Sequence, residues 1–307
     1  MYEEILNKQR KSDKPYVILH IEGGAGKGVC ATAVLEAVSK KYPNHYLIVV
    51  TAWEEVWYHN PLVHRVYNFN QLTYFYNDFI FDDTVILRID PYHSESHIKG
   101  KKHLIQSWCD VFDVPYNNEA PKIYLTEREK EVMRDKLYGG GDNRPIFLLQ
   151  TNGGVPTQHN GGKSWARDLP LEIALPVVQH MAKTHRVIHV RREDQPVIDG
   201  IEWTQGFTQR DLMALLTLSD KRLFIDSFMQ HLAATLGLKS TVVWVANKPK
   251  VYGYKLHNNL QPSAEVVSEF TKYSYMDKTD ISGKPVEFPY DTTNIFDPKD
   301  IIKALTN

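Results

Sequence analysis

The sequence predicts an α/β protein with two doubly wound parallel-sheet domains. Three observations carry that expectation. Short apolar runs of strand character alternate with helical patterns in both halves of the chain. The first seventy or so residues contain a strand–helix–strand unit, the mark of a parallel sheet. A run of glycines, Gly139-Gly140-Gly141-Asp142-Asn143, separates two such series.

In the first half, YVILHI at 16–21 reads as a buried strand, and Glu22-Gly23-Gly24-Ala25-Gly26-Lys27-Gly28 as a glycine-rich turn. Residues 29–41 form a helix with Ala31, Val34, Leu35 and Val38 near helical spacing, broken by Pro43-Asn44. Residues 46–50 are the next strand, 85–89 another and 122–125 a further short one; helices fit 103–112 and 127–136. After the glycine run the pattern resets. Strands are expected at 145–150, 185–190, 223–225 and 241–245, and helices at 171–183, 208–218 and beyond Asp226. Residues 151–162 form a long polar loop, and Pro298 opens a final helix at 297–305. The expected domains are residues 1–140 and 145–290, with a C-terminal helix in 291–307.

Composition narrows the function classes. The 307 residues are 42% hydrophobic, enough for real cores. Lys+Arg number 36 against 37 Asp+Glu, so bulk charge argues for neither nucleic acid nor membrane. The two cysteines, Cys30 and Cys109, form neither a disulfide framework nor a metal motif. The first residues lack the apolar core of a signal peptide, and no apolar run is long enough for a membrane span, so a cytoplasmic location is expected.

Two regions carry chemistry. The loop EGGAGKG departs from the P-loop pattern: Ile21 stands at the first glycine position, and Gly28 follows Lys27 where a Mg²⁺-binding hydroxyl is needed. An NTPase using this loop is one alternative reading. Gly23, Gly24 and Gly26 would let a backbone approach a ligand near Lys27, although the same glycines suit a tight strand-to-helix turn. In the second half, three strand ends carry phosphate- or sugar-compatible groups. They are Thr151-Asn152 with Lys163 in the loop beyond, Arg192-Glu193, and Asp226-Ser227 with Gln230 and His231. Glu193 suits ribose hydroxyls, Lys163 a phosphate, and the helix after Asp226 offers free N–H groups to an anion. This pattern suggests a nucleoside-diphosphate site.

At these motifs the chain resembles glycosyltransferase family 9, the heptosyltransferase-like enzymes of GT-B fold. Asp226-Ser227-Phe228-Met229-Gln230-His231-Leu232-Ala233-Ala234 is similar to the family's D-T-G-x-x-H-L-x-A-A, which lies against the donor diphosphate. Lys163-Ser164-Trp165 resembles its Lys-x-Trp, whose Lys contacts a donor phosphate. Thr151-Asn152 and Arg192-Glu193 match its donor-loop positions, and Gly26-Lys27, Tyr42-Pro43 and Asn60-Pro61-Leu62-Val63 its first-half landmarks. The resemblance implies two Rossmann-like domains facing a cleft, acceptor on the first and nucleotide sugar on the second. It implies an inverting, metal-independent transfer to a hydroxyl of a glycan such as a bacterial surface glycan; no Asp-x-Asp triplet occurs, and neither metal nor cofactor is expected.

Two positions depart from the family. Lys27 replaces the Asp proposed as catalytic base, leaving Glu22, Asp90 and His93 as base candidates. Phe228 replaces a Gly, which would reshape the donor pocket. Two further alternatives follow. The basic run His97-Ile98-Lys99-Gly100-Lys101-Lys102-His103, with Tyr74-Phe75-Tyr76, suits hydroxymethylated DNA as the acceptor. The loss of the family Asp suits an inactive module that only binds a nucleotide sugar.

Overall fold

The computed structural model describes residues 10–154, 164–268 and 289–306. The chain divides into two compact units, Met1–Ser94 with Leu104–Tyr124, and Glu95–His103 with Leu125–Asn307.

The first unit opens with β1 (Tyr16–Ile21), buried at every position except His20. Then come α1 (Ala25–Ala31), a single 3₁₀ turn at Thr32–Val34, and α2 (Leu35–Lys41). The helix therefore starts four residues before the expected position, and Gly26, Lys27 and Gly28 lie inside it rather than in a loop. β2 (Tyr46–Thr51), β3 (Val63–Asn68), α3 (Phe75–Phe79) and β4 (Val85–Leu87) follow. Next along the chain are α4 (Glu95–Ile98), which belongs to the second unit, and α5 (Leu104–Val111), which returns to the first.

The first sheet is parallel in the order β3-β2-β1-β4. On one face Ile18, Ile48 and Val50 pack with Phe75 and Phe79. The alternate residues Val17, Leu19, Leu47 and Val49 are buried too, so both faces are covered, as a parallel sheet requires. Residues 122–125 are not a strand. The Lys122 N–H donates to the Thr32 hydroxyl at 2.9 Å, a side-chain acceptor in place of a ladder partner.

The second unit contains α6 (Glu127–Tyr138), β5 (Ile146–Leu149), α7 (Leu171–Met181), β6 (Arg186–His189), β7 (Glu202–Trp203) and α8 (Gln209–Thr217). β8 (Ser219–Ile225), α9 (Phe228–Thr235), β9 (Thr241–Val243), α10 (Pro249–Tyr252), β10 (Asn258–Leu260), α11 (Ala264–Ser268) and α12 (Pro298–Thr306) complete it. Its parallel sheet runs β10-β9-β8-β5-β6-β7. The chain enters at β5, winds outward through β6 and β7, then returns to β8 on the other side. The strand order thus reverses between β5 and β8, and crevices at such reversals are where open α/β sheets bind ligands. In the first unit the reversal falls between β1 and β4.

The glycine run at 139–141 is not the boundary between the units. α6 precedes it and belongs to the second unit, held there by a charged fork. Glu129, which closes a capping box with Thr126, receives Arg210 Nε at 2.6 Å and Nη2 at 2.8 Å from α8. The excursion carrying α4 is docked by Tyr252 Oη against His97 Nε2, at 3.0 Å, and by His103 Nε2 donating to the Gly253 carbonyl at 3.0 Å. α12 buries Ile301 and Leu305 in the second unit's core instead of standing apart.

Arg210 holds the Glu129 carboxyl down at about 2, below its ordinary 4.5. The pair therefore stabilises the fold fully above pH 4.5, and its contribution fades as the pH falls toward 2. Arg210→Ala is expected to cost roughly 1–3 kcal/mol at neutral pH, read as a lower Tm, with the gap to wild type closing in that acid window. An unchanged Tm at pH 7 would contradict this anchoring of α6.

Candidate functional site

In the first unit, polar groups collect past the ends of β1 and β4. Gly23 has a positive φ of 96°, and a Cβ there would lie 2.9 Å from Lys27 Cδ, so only glycine lets the turn fold over that side chain. The Trp53 indole N–H donates to the Gly23 carbonyl at 2.8 Å and fixes the turn. Lys27 points inward. Its side chain is 4% exposed, its Nζ lies 2.5 Å from Asp90 Oδ2, and it sits 4.3 Å above the Tyr92 ring. Burial lowers its pKa, and Asp90 opposes that shift. Asp90 is doubly engaged, because its Oδ1 accepts the Tyr92 N–H at 2.9 Å.

The base candidates therefore differ sharply. A proton on Asp90 would leave a buried ammonium without its counter-charge. His93 is exposed, and no described hydrogen bond ties its ring to the cluster. Glu22 keeps an exposed carboxylate at the end of β1, 3.2 Å from His20 Nδ1 and 3.9 Å from Arg88 Nη2. His20, held against Phe69 with ring centroids 4.7 Å apart, was not singled out by sequence; a histidine inside an apolar strand carries no motif. Lys27, committed to Asp90, is not directed at a phosphate as a P-loop lysine is, which removes the support for the NTPase reading.

In the second unit the switch between β5 and β8 is built around Asp168. This buried carboxylate accepts from Asn152 Nδ2 at 2.8 Å, from the Gly153 N–H at 3.2 Å and from the Ser164 N–H at 2.7 Å. Burial pushes its pKa up to about 6. Thr151 and Asn152, expected to touch a ligand, turn their side chains inward. The Thr151 hydroxyl donates to Asn152 Oδ1 at 2.8 Å and lies 2.9 Å from His189 Nε2. Burial holds the His189 imidazole down at about 4, so it is neutral. Gly153 is pressed against the start of α9, where an added Cβ would lie 2.7 Å from Ser227 Oγ.

Asp226 also faces inward. It is buried, its pKa is raised by that burial, and it accepts from Asn247 Nδ2 at 2.6 Å. Ser227 is the N-cap of α9 and uses no side-chain hydrogen bond to cap it, so the first-turn N–H groups beside Phe228 keep their capacity to bind an anion. Gln230 and His231 are buried behind that turn. Gln230 Nε2 donates to the Tyr252 carbonyl at 3.1 Å and to His231 Nε2 at 3.0 Å. His231 Nε2 is then the acceptor, and Nδ1–H donates to Tyr254 Oη at 3.0 Å. Burial drives the His231 pKa down to about 3, so this candidate for a phosphate contact is a neutral ring held by Gln230 and Tyr254.

Arg192 Nη1 donates to the Gly154 carbonyl at 2.5 Å and its Nε to Asp194 at 3.0 Å, while Glu193 stays exposed. Lys163 lies outside the described residues. Asp168, Asn247 and Tyr254 escaped sequence reasoning because single polar residues in loops carry no periodicity. The basic run at 97–103 is divided between docked histidines and exposed lysines. His97 and His103 are docked in the second unit, and Lys99 and Lys101 share Glu95 at 2.7 Å and 3.4 Å. Tyr74 and Tyr76 are exposed and Phe75 is buried. Among the described residues no group of His, Cys, Asp or Glu is arranged to hold a metal ion, and no helix is long and apolar enough to cross a membrane.

This double-sheet α/β architecture is shared with solved GT-B glycosyltransferases. A glycosyltransferase family 9 structure from Veillonella parvula matches with a TM-score of 0.66 at 15% identity, over 97% of each chain. The Escherichia coli ADP-heptose lipopolysaccharide heptosyltransferase II matches at 0.62 and 10% identity, over 95% of this chain and 97% of that one. The iron-containing dodecameric glycosyltransferase TibC of enterotoxigenic E. coli matches at 0.65 and 12% identity, over 97% of this chain and 77% of that one. No family model matches the sequence, and no curated protein matches it. At these identities the likeness defines the fold: GT-B, with two Rossmann-like units.

The raised Asp168 pKa has a measurable consequence. Between 3.8 and about 6 the folded state binds more protons than the unfolded state, so this group's contribution weakens as the pH rises through that window. The change amounts to roughly 3 kcal/mol. Asp168→Asn lacks it, so the Tm–pH curves of variant and wild type are expected to diverge between those values and run parallel above them. Curves parallel throughout would contradict the assignment.

Proposed function

We propose that the protein is a glycosyltransferase that moves a sugar from a nucleotide-sugar donor to a hydroxyl acceptor with inversion and without a metal. The observation that carries this reading is the β5/β8 switch point, where Gly153 packs on Ser227 and the start of α9 remains open to an anion. A structural neighbour, TibC, has been solved with ADP-D-β-D-heptose, which supports a nucleoside diphosphate sugar as the donor class. A glycan hydroxyl is the acceptor this reading takes. The docked His97 and His103 take two residues out of the run that suits DNA, and the lysines of that run stay exposed.

In this reading the second unit receives the donor and the first supplies the base. Glu22 takes the proton of the acceptor hydroxyl as the oxygen attacks the anomeric carbon. The bond from that carbon to the diphosphate oxygen breaks on the opposite side, which inverts the centre. The departing negative charge falls to the α9 N–H groups, with Lys163 as a further cation. Asp90 serves as counter-ion of Lys27, so the lysine at the family's acidic position is structural. Glu193, exposed in the loop after β6, is the carboxylate this reading gives to the ribose hydroxyls.

The test is release of nucleoside diphosphate from a panel of nucleotide sugars, with glycan acceptors and with EDTA or Mg²⁺. Wild type is expected to turn over one donor equally in both conditions. Glu22→Gln is expected to lose roughly 10²–10⁴-fold in kcat while keeping donor affinity. Asp90→Asn is expected to lower Tm, since Lys27 loses its partner. Wild type that binds a donor but never turns over would leave a binding module, and equal kcat in Glu22→Gln would exclude that residue as the base.

A further inference from the structure

Among the described residues of the second unit, Arg167 is a cation whose hydrogen-bonding capacity the fold leaves unused. It lies between β5 and α7, half-buried, and its Nε is buried without a hydrogen-bond partner. Its guanidinium faces Gly154, where an added Cβ would stand 3.8 Å from Nη1 and 3.9 Å from Cζ. Two buried carboxyls, Asp168 and Asp226, feel its charge. Both take their hydrogen bonds elsewhere: Asp168 from Asn152, Gly153 and Ser164, and Asp226 from Asn247. The neighbouring Arg192, by contrast, is exposed and uses all three of its nitrogens, on Gly154 and Asp194. A buried guanidinium N–H without an acceptor is costly, and at Arg167 that group is Nε.

What surrounds it says what accepts. Gly153-Gly154 lies between Arg167 on one side and Ser227 at the start of α9 on the other. Glycine is needed at 153 because a Cβ would strike Ser227 Oγ, and Gly154 presents bare backbone to the guanidinium. A planar fork, a side-chain hydroxyl and open helix N–H groups therefore flank one two-residue stretch of backbone. That combination fits two linked phosphates better than a carboxylate or a single phosphate, and a fork grips such oxygens in pairs. With His231 neutral, Arg167 and Arg192 are the cations beside Gly154, and of the two Arg167 has the buried donor without a partner.

We infer that Arg167 grips the diphosphate of the nucleotide-sugar donor and sets the site's preference for a diphosphate over an uncharged nucleoside. The inference rests on the donor site proposed above. It assigns to a residue two positions past Trp165 the task that the family resemblance gave to Lys163.

The experiment is calorimetric titration of the full chain with inorganic pyrophosphate, with UDP, ADP and GDP, and with the corresponding nucleosides. Wild type, Arg167→Ala and Arg167→Lys are compared. Arg167→Ala is expected to weaken the bound nucleoside diphosphate and pyrophosphate roughly ten- to a hundredfold and to leave the nucleoside unchanged. Arg167→Lys is expected to fall between, because charge remains and the fork is lost; if the alanine variant does not fold, the lysine variant's diphosphate-to-nucleoside ratio decides. Unchanged diphosphate affinity would overturn the role of Arg167 and leave the donor site standing. Equal losses for diphosphate and nucleoside would make Arg167 a structural counter-ion of Asp168 and Asp226. No binding of any diphosphate or pyrophosphate by wild type would overturn the inference together with the donor site.

Discussion

The second unit's site depends on one buried carboxylate. Asp168 gathers three N–H donors from two segments, residues 152–153 and 164, that the chain would otherwise leave as independent loops. The bonds run from 2.7 to 3.2 Å, and the group is buried, so water competes little. The cost of that burial shows in its raised pKa, and the return is a fixed path for Gly153 and Gly154 across the start of α9. Without that path the helix N-terminus would have no defined neighbour. The inward turn of Thr151, Asn152 and Asp226 has the same meaning. The side chains build the wall, and the backbone, Ser227 and Arg167 remain to meet a ligand.

The first unit uses a different device. Lys27 and Asp90 form a pair that is mostly removed from water and covered by Tyr92 and Trp108. Pairs of this kind contribute little net stability, but breaking one is expensive because it strands a charge. The pair fixes the turn after β1 relative to the segment after β4, at the strand-order reversal of that sheet. Glu22 is left as the solvent-facing carboxylate of the cluster. Both units thus bury a charged group beneath the switch point and leave a second polar group to act.

Much of the fold was legible in the sequence, for a physical reason. Strands covered on both faces must be apolar throughout, so YVILHI, IFLL and LFI stand out, and the helices between them carry a clear period. The strand-end position of Asp226-Ser227 was legible for the same reason. Side-chain direction was not. Residue type and place suggested that Thr151, Asn152, Asp226 and His231 meet a ligand, yet each satisfies a buried partner. The division of the chain was hidden because α6 is held by a contact spanning 81 residues, which no local glycine run reveals. Arg167 and Asp168 sit in WARDLP, a stretch without period or motif, and only the fold brings them to the site.

The most direct measurement is backbone hydrogen exchange of the full chain with and without the nucleoside diphosphate that binds best. Slowed exchange at residues 151–154 and at the first turn of α9, residues 228–231, is the expected result, with residues 23–28 unchanged. Protection confined to the turn at 23–28 would contradict a donor site at the β5/β8 switch point and return the nucleotide to the first unit.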